Sequence, residues 1–128
     1  MRLSLLVAAV LLLVLNACVQ APPAPPGLMD VAERPAEKAL LAGIRAYEDA
    51  QYAESEKQLG AALRTGLASA KDRAAAQKHL AFIYCTSNRT ADCEAAFRAA
   101  RQADPAFALN KSEAGHPLWG PVYKRAVP

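Results

Sequence analysis

A self-similarity along the chain constrains its fold more than any other feature. Shifting the sequence by 38 residues places Gly43 on Ala81 and Leu59 on Phe97. The same shift pairs Ala46 with Tyr84, Ala62 with Ala100, Tyr47 with Cys85 and Ser55 with Cys93. Small residues thus recur where two antiparallel helices must approach closely, and large residues recur beside them. The pattern predicts two copies of one helix pair.

Apolar periodicity predicts the helices of these two pairs. Apolar residues three or four positions apart indicate helices over residues 37–51, 52–65, 69–86 and 90–104. Gly66 is typical of the position after a helix end, and Pro105 cannot continue a helix. Thirty alanines and an aromatic content of only 6% favour closely packed helices over a β-sandwich. We therefore expect an all-α fold.

The repeated pattern resembles the tetratricopeptide repeat, whose units are antiparallel helix pairs. The second copy is the better match, through Leu80, Ala81, Tyr84, Phe97, Ala100 and Pro105. The first copy lacks the terminal proline and has Ser55 where the family usually has alanine. The family's period is about 34 residues, so about four residues are extra, and we place them in 66–70. The alternative is a plain four-helix bundle with alanine-rich seams.

The C-terminal segment, residues 106–127, is too apolar for a free tail. Two repeats are also fewer than the three or more that usually form a stable stack. Pro117 and Pro121 exclude one continuous helix, although Pro121 could open a short one. We therefore expect a proline-kinked cap that wraps over the last helix pair. Its predicted core residues are Leu118, Trp119, Val122 and Tyr123.

The N-terminus is typical of a secretory signal. Arg2 precedes an uncharged apolar run over residues 3–15, which is too short to cross a bilayer comfortably. The following Leu15-Asn16-Ala17-Cys18 resembles the bacterial lipoprotein signal, in which the cysteine is acylated and the peptide is cut before it. The resemblance implies removal of residues 1–17, lipidation of Cys18 and, because Val19 is not aspartate, anchoring in the outer membrane. An ordinary secretory peptide is the alternative.

Residues 18–35 predict a tether between the anchor and a folded domain over residues 36–127. Five prolines among Ala, Gln and Gly favour extended polyproline geometry, at about 3.1 Å per residue.

All twelve acidic residues and fourteen of the fifteen basic residues follow the signal peptide, which leaves a net charge of +2. Such a balance excludes a nucleic-acid binder that works through bulk charge.

Two cysteines remain once Cys18 is assigned to lipid. In an oxidising periplasm, Cys85 and Cys93 on facing helices beside a turn predict a disulfide. The repeat register leaves the pair about one helical turn out of alignment, so the expected geometry is borderline. The alternatives are two free buried thiols, or a metal site completed by His79, whose spacing is unlike that of zinc ligands.

A second resemblance covers residues 80–124 together with the lipoprotein signal. It rests on Phe82-Ile83-Tyr84-Cys85, on Cys93, and on Glu113-Ala114-Gly115-His116-Pro117-Leu118-Trp119-Gly120-Pro121-Val122-Tyr123. These residues are similar to those of the TssQ-like proteins, small repeat-containing lipoproteins encoded with type VI secretion clusters. The resemblance implies no enzymatic activity.

The tetratricopeptide resemblance also implies a binding surface, because the first helix of each repeat lines a concave groove in that family. Carried over to this sequence, the groove comprises Leu40, Ile44, Tyr47, Lys78, Phe82 and Cys85. An apolar groove suits an extended or helical peptide of a protein partner. The alternative is that the C-terminal segment fills the groove.

Together these features predict a non-enzymatic adaptor or assembly factor on the periplasmic face of the outer membrane, accessory to type VI secretion. A regulator or pilot of peptidoglycan enzymes or of a secretin-like complex is the alternative, and a periplasmic enzyme is a weaker third class. The sequence has no phosphate loop and no dinucleotide fingerprint. We expect no cofactor, no metal, no nucleic acid and no small-molecule substrate.

Overall fold

The computed structural model describes residues 22–128. The predicted signal peptide and the predicted lipidation site, Cys18, lie outside this range. The described residues form seven helices and no strand. The helices are α1 Leu28–Ala32, α2 Pro35–Glu48, α3 Tyr52–Thr65, α4 Ala70–Thr86, α5 Thr90–Ala103, α6 Lys111–Ala114 and α7 Gly120–Ala126. The predicted all-α fold is confirmed. Within residues 22–128, no helix has the length and apolar character needed to cross a membrane.

The predicted tether ends earlier than its sequence suggests. Residues 22–27 have no regular secondary structure, but Leu28–Ala32 form α1. The proline run has ended by then, and Asp30 caps the helix by accepting a hydrogen bond from the Gly27 N–H at 3.0 Å. Pro35 belongs to the first turn of α2, where its missing N–H costs no helical hydrogen bond. Extended geometry up to residue 35 is therefore wrong for its last part.

Two helix hairpins, α2–α3 and α4–α5, form the body of the domain. Their turns are alike: Ala50 and Asn88 have φ angles of 57° and 61°, in the left-handed region. The N–H groups of Gln51 and Arg89 each donate to a carbonyl five residues earlier, at 2.7 and 2.8 Å. These pairs of residues are related by the 38-residue shift. The sequence repeat therefore corresponds to two copies of one backbone hairpin.

Gly43 shows why small residues recur in the middle of these helices. A Cβ atom at this position would lie 2.7 Å from Leu59 Cγ on the facing helix α3. The buried Ser55 hydroxyl also donates to the Gly43 carbonyl at 2.7 Å. At this point α2 and α3 therefore lie too close together for residue 43 to carry a side chain.

The loop 66–69 joins the hairpins. Gly66 follows α3 with a φ of 101°, and the Ser69 hydroxyl caps α4 by accepting from the Asp72 N–H at 3.3 Å. A second link comes from Arg89, whose Nη1 donates to both carboxylate oxygens of Glu56 at 2.9 and 3.0 Å. This bond joins the turn of the second hairpin to α3 of the first.

The C-terminal segment packs on the second hairpin, as predicted. Its buried residues are Phe107, Leu109, Val122, Ala126 and Val127. The Tyr123 ring lies 5.3 Å from the Phe97 ring, and its hydroxyl accepts from the Leu109 N–H at 3.2 Å. The assignment of Leu118 to the core is wrong, because this side chain is 54% exposed. Leu118 lies in the irregular turn before α7 and faces solvent, whereas its neighbour Trp119 packs on Phe82.

Candidate protein-binding groove

Aromatic rings from both hairpins and from the C-terminal cap form a continuous series, which we call the aromatic row. In spatial order its members are Tyr52, Tyr47, His79, Phe82, Trp119 and His116. Successive ring centroids are 5.6, 5.2, 6.2, 4.3 and 3.3 Å apart. Three of the six, Tyr47, His79 and Phe82, lie on α2 and α4, the helices predicted to line the groove.

The cap covers one end of the aromatic row. Trp119 stacks on Phe82 with ring centroids 4.3 Å apart, and Phe82 is buried beneath it. Lys78 Nζ lies 2.7 Å from Glu113 Oε1 in the cap and 5.7 Å from the centre of the Phe82 ring. Lys78 and Phe82 therefore do not line an open groove, which corrects their predicted role. In this half of the groove, the C-terminal segment fills the space, as the alternative interpretation of the sequence expected.

Glu113 and Trp119 are tied together within the cap. The Trp119 Nε1–H donates to the Glu113 carbonyl at 2.8 Å, and the Glu113 carboxylate accepts from the Asn110 N–H at 3.1 Å. Burial raises the pKa of the Glu113 carboxyl, but the bonds from Lys78 and Asn110 outweigh it, so the pKa lies below its ordinary value. Glu113 is therefore a carboxylate at neutral pH and holds the cap on α4 by an ion pair.

His116 continues the stack on the outer side of Trp119. The two rings are nearly parallel, at 3° and 3.3 Å, and the Leu118 N–H donates to His116 Nδ1 at 3.2 Å. Because Nδ1 accepts this bond, the neutral ring carries its proton on Nε2. The histidine acts as a turn residue that covers Trp119, as its position before Pro117 suggests.

The other end of the aromatic row is open, and we call it the open half. Ile44, Tyr47 and His79 are half-buried there, and Tyr52 is 46% exposed. Leu40, predicted to be a groove residue, is instead buried in the core. Burial raises the pKa of Tyr47, and the neighbouring Tyr52 and Glu113 raise it further. Tyr47 therefore keeps its hydroxyl proton at neutral pH.

His79 lies at the junction between the open and covered halves. Its Nδ1 is 2.8 Å from the Ala75 carbonyl, so Nδ1 carries the proton and Nε2 is an acceptor. Burial lowers the pKa of the imidazole below its ordinary value, and its backbone hydrogen bond and nearby charges modify that shift. Within residues 22–128, no group of three or more His, Cys, Asp or Glu side chains is placed to hold a metal ion.

The structure brings Cys85 and Cys93 together at disulfide distance, with their Sγ atoms 2.05 Å and their Cα atoms 5.2 Å apart. The expected misalignment by one helical turn is wrong. Residues 87–89 form so tight a turn that the last turn of α4 lies directly beside the first turn of α5. Cys85 is buried and does not line the open half.

A separate cleft of about 270 Å³ lies on the other face of α4. Tyr84, Arg89 and Asp92 line it together with alanines of α5. Tyr84 follows Phe82 by two residues, so the two side chains point to opposite sides of the helix. The Arg89 guanidinium stacks 4.2 Å above the Tyr84 ring and closes one end of this cleft.

Comparisons with protein-family models, with curated proteins and with solved structures find no match for this chain. The site is therefore assigned from its residues. Sequence reasoning identified Tyr47, Phe82 and Trp119 but did not connect them with His79 and His116. The i, i+3 spacing of His79 and Phe82 could have indicated a shared helix face. The stacking of His116 on Trp119 has no comparable sequence signal.

Proposed function

We propose that this protein is a non-enzymatic adaptor that binds a protein partner in the open half, and that a lipid on Cys18 anchors it to the periplasmic face of the outer membrane. We further propose that it is accessory to type VI secretion. One observation carries the binding part: the aromatic row is covered by the protein's own cap at one end and is open at the other.

The chemistry of the open half favours a protein partner. Tyrosine provides a large apolar ring with a polar tip, and it is enriched in protein interfaces for that reason. Tyr47 and Tyr52 lie 5.6 Å apart at the junction of α2 and α3, with Ile44 one turn before Tyr47. An apolar or aromatic side chain of a partner could continue the row beyond Tyr52.

The open half is also held rigid, which lowers the entropic cost of binding. The tight turn 49–51 fixes Tyr47 relative to Tyr52, and the T-shaped contact with His79 fixes Tyr47 relative to α4. The cap and the bonded cysteine pair hold α4 in turn. The envelope part of the proposal rests on the lipoprotein-like Leu15-Asn16-Ala17-Cys18, and the secretion part on the resemblance across residues 80–124.

Site-specific photocrosslinking in intact cells tests the binding part. A photoreactive phenylalanine replaces Tyr52 in the open half, and in a matched control it replaces the exposed Ala95 in the cleft on the other face of α4. The expected result is a crosslink from position 52, and not from position 95, to an envelope component of the type VI secretion machine. The crosslinked protein is identified by mass spectrometry.

A substitution at the same position provides the second measurement. Tyr52→Asp should abolish co-purification of that component while lowering the melting temperature only slightly, because Tyr52 is 46% exposed and an acidic residue is favourable in the first turn of a helix. Crosslinks confined to position 95 would contradict a groove interaction. A peptidoglycan enzyme or a secretin as the crosslinked protein would favour the regulator or pilot function instead.

The anchor is tested separately. Cys18→Ser should move the mature protein from the detergent phase to the aqueous phase in a phase-separation assay, because several acyl chains give stable anchoring. If this variant remains in the outer membrane fraction as completely as wild type, the lipid is not the anchor.

A further inference from the structure

The first described helix carries the two most exposed large apolar side chains of residues 22–128. In α1, Leu28 is 85% and Met29 is 72% exposed, and no residue of the helix is buried. So short a helix gains little stability in water by itself, and packing normally supplies the remainder. Something other than the described protein is therefore expected to cover these side chains.

The apolar surface of α1 continues onto α2. Leu28, Val31 and Leu41 line one cleft of about 210 Å³ between α1, α2 and the start of α4. Leu41 is 45% exposed, although it sits in the middle of α2. We call the surface formed by Leu28, Met29, Val31 and Leu41 the N-terminal patch.

Basic side chains flank the N-terminal patch. Lys38 and Arg45 are exposed and lie three residues before and four residues after Leu41, on the same face of α2. Arg34, also exposed, precedes that helix. Within residues 22–128, none of the three forms an ion pair with another described residue. Their charges therefore remain available to an anionic surface.

Four acidic side chains also lie near the patch, and two of them accept backbone N–H groups. Asp30 accepts the Gly27 N–H, and the buried Glu37 accepts the Ala68 N–H at 3.4 Å. Glu33 is exposed just after α1, and Asp72 lines the cleft from α4. On the stripe of α2, the exposed Glu48 follows Arg45 by three residues, so the two bases leave this stripe with a net positive charge, while the side of the cleft toward α4 is not positive.

The N-terminal patch is also the part of the domain nearest to the proposed anchor. Leu28 follows Cys18 by ten residues, so at about 3.1 Å per residue the helix lies within about 31 Å of the lipid surface. We propose that the N-terminal patch docks on the anionic membrane surface, with its apolar residues at the acyl boundary and Lys38 and Arg45 at the head groups. This proposal rests on the proposed lipid anchor at Cys18. The occupant is a lipid surface because apolar exposure, basic flanks and a nearby acyl chain coincide.

Depth-dependent fluorescence quenching tests the contact on the full lipidated chain. Met29→Trp places a probe in the patch, and vesicles of phosphatidylethanolamine and phosphatidylglycerol carry bromine on their acyl chains. Trp119 is the only native tryptophan and is half-buried within the cap, so wild type gives the background signal. Leu118→Trp is the matched control, since Leu118 is similarly apolar and 54% exposed but lies outside the patch.

The expected result is a blue-shifted emission and strong bromine quenching for Met29→Trp, with neither change for Leu118→Trp. Adding Lys38→Glu or Arg45→Glu should weaken the docking equilibrium by at least about fivefold each, as expected for one basic residue at an anionic surface. Vesicles of phosphatidylcholine alone carry no net charge, so they should quench Met29→Trp less than the anionic vesicles do.

Mass spectrometry of the same preparation shows whether Cys18 carries acyl chains, which separates the two proposals. If Cys18 is acylated but Met29→Trp is quenched no more than Leu118→Trp, docking is overturned and the anchor stands. If Cys18 is not acylated, the anchor fails, and quenching by added anionic vesicles then decides docking alone. A concentration-dependent blue shift without lipid would overturn docking in favour of a second copy of this chain.

Discussion

Ser55 and Cys93 occupy the same position in the two hairpins, and each ties its second helix to its first by a different bond. The Ser55 hydroxyl donates to the Gly43 carbonyl at 2.7 Å, whereas Cys93 Sγ lies 2.05 Å from Cys85 Sγ. The 38-residue shift relates Ser55 to Cys93 and Tyr47 to Cys85. The hairpin that carries the cap thus has the cysteine pair, and the hairpin with the open half has a hydrogen bond instead.

The cysteine pair should be oxidised and should stabilise the fold. Protein purified from periplasm without reductant should show no free thiol at positions 85 and 93 under denaturing conditions. Cys85→Ala combined with Cys93→Ser should lower the free energy of unfolding by about 2–3 kcal/mol, as expected for closing so short a loop. Urea titration measures this, with reduced wild type as the control. Full labelling of both cysteines in unreduced protein would mean packed free thiols.

Gly43 and Gly60 provide a matched pair of helix glycines. Gly43→Ala should lower the free energy of unfolding by about 1–3 kcal/mol, because its Cβ would lie 2.7 Å from Leu59 Cγ. At Gly60, a Cβ would meet only the flexible end of Arg64, at 3.1 Å from Nη1. Gly60→Ala should therefore be neutral, or stabilising by up to about 1 kcal/mol through helix propensity. Equal effects of the two changes in chemical denaturation would contradict the close approach of α2 and α3.

Trp119 and Leu118 provide a second pair, in the cap. Trp119→Ala removes the stacking on Phe82 and the hydrogen bond to the Glu113 carbonyl. It should lower the free energy of unfolding by about 3 kcal/mol, at the low end for a large aromatic because the ring is half-buried. The exposed Leu118→Ala should change that energy by no more than about 0.5 kcal/mol. A Trp119→Ala variant that melts with wild type would show that the tryptophan does not hold the cap.

His79 should make stability depend on pH. Burial lowers its pKa in the folded state, so the unfolded chain, with a pKa near 6.5, takes up the proton first as the pH falls. The free energy of unfolding is therefore highest above about pH 6.5 and falls as the pH drops below that value. Lys78 strengthens this effect, whereas the backbone bond to Ala75 and the charges of Glu113 and Glu48 weaken it.

The His79 prediction is checked by the melting temperature at about pH 7.5 and about pH 5.5, a range in which histidine is the principal titrating side chain. On acidification, the melting temperature of wild type should fall further than that of the His79→Gln variant. Identical slopes for wild type and His79→Gln would exclude a role for this group. The lowered pKa of Glu113 acts in a lower window, where its contribution is lost only as the pH falls below about 4.5.

The sequence predicted those parts of the structure that depend on spacing along the chain. The repeat placed both hairpins, because small residues such as Gly43 must recur wherever the backbones approach. Gly66 and Pro105 located two helix ends through their own backbone preferences. Pro121 likewise predicted the start of α7.

The parts that sequence did not predict depend on contacts between distant residues. Spacing along the chain does not decide whether Trp119 covers Phe82, because Trp119 lies in an irregular turn with no periodicity to orient its side chain. The same lack of periodicity explains why Leu118 was assigned to the core with its neighbour. The alignment of Cys85 with Cys93 depended on the tight turn between them, which the positive φ of Asn88 makes possible.

The cap also limits how the array can grow. By packing on α5 through α7, and on α4 through Glu113 and Trp119, the C-terminal segment occupies the face that a third hairpin would need in order to stack at the C-terminal end. A longer version of this protein could not arise by simple addition there. A new hairpin would instead have to be inserted in the loop 66–69. Insertion there leaves the cap, the aromatic stack on Trp119 and the cysteine pair in place.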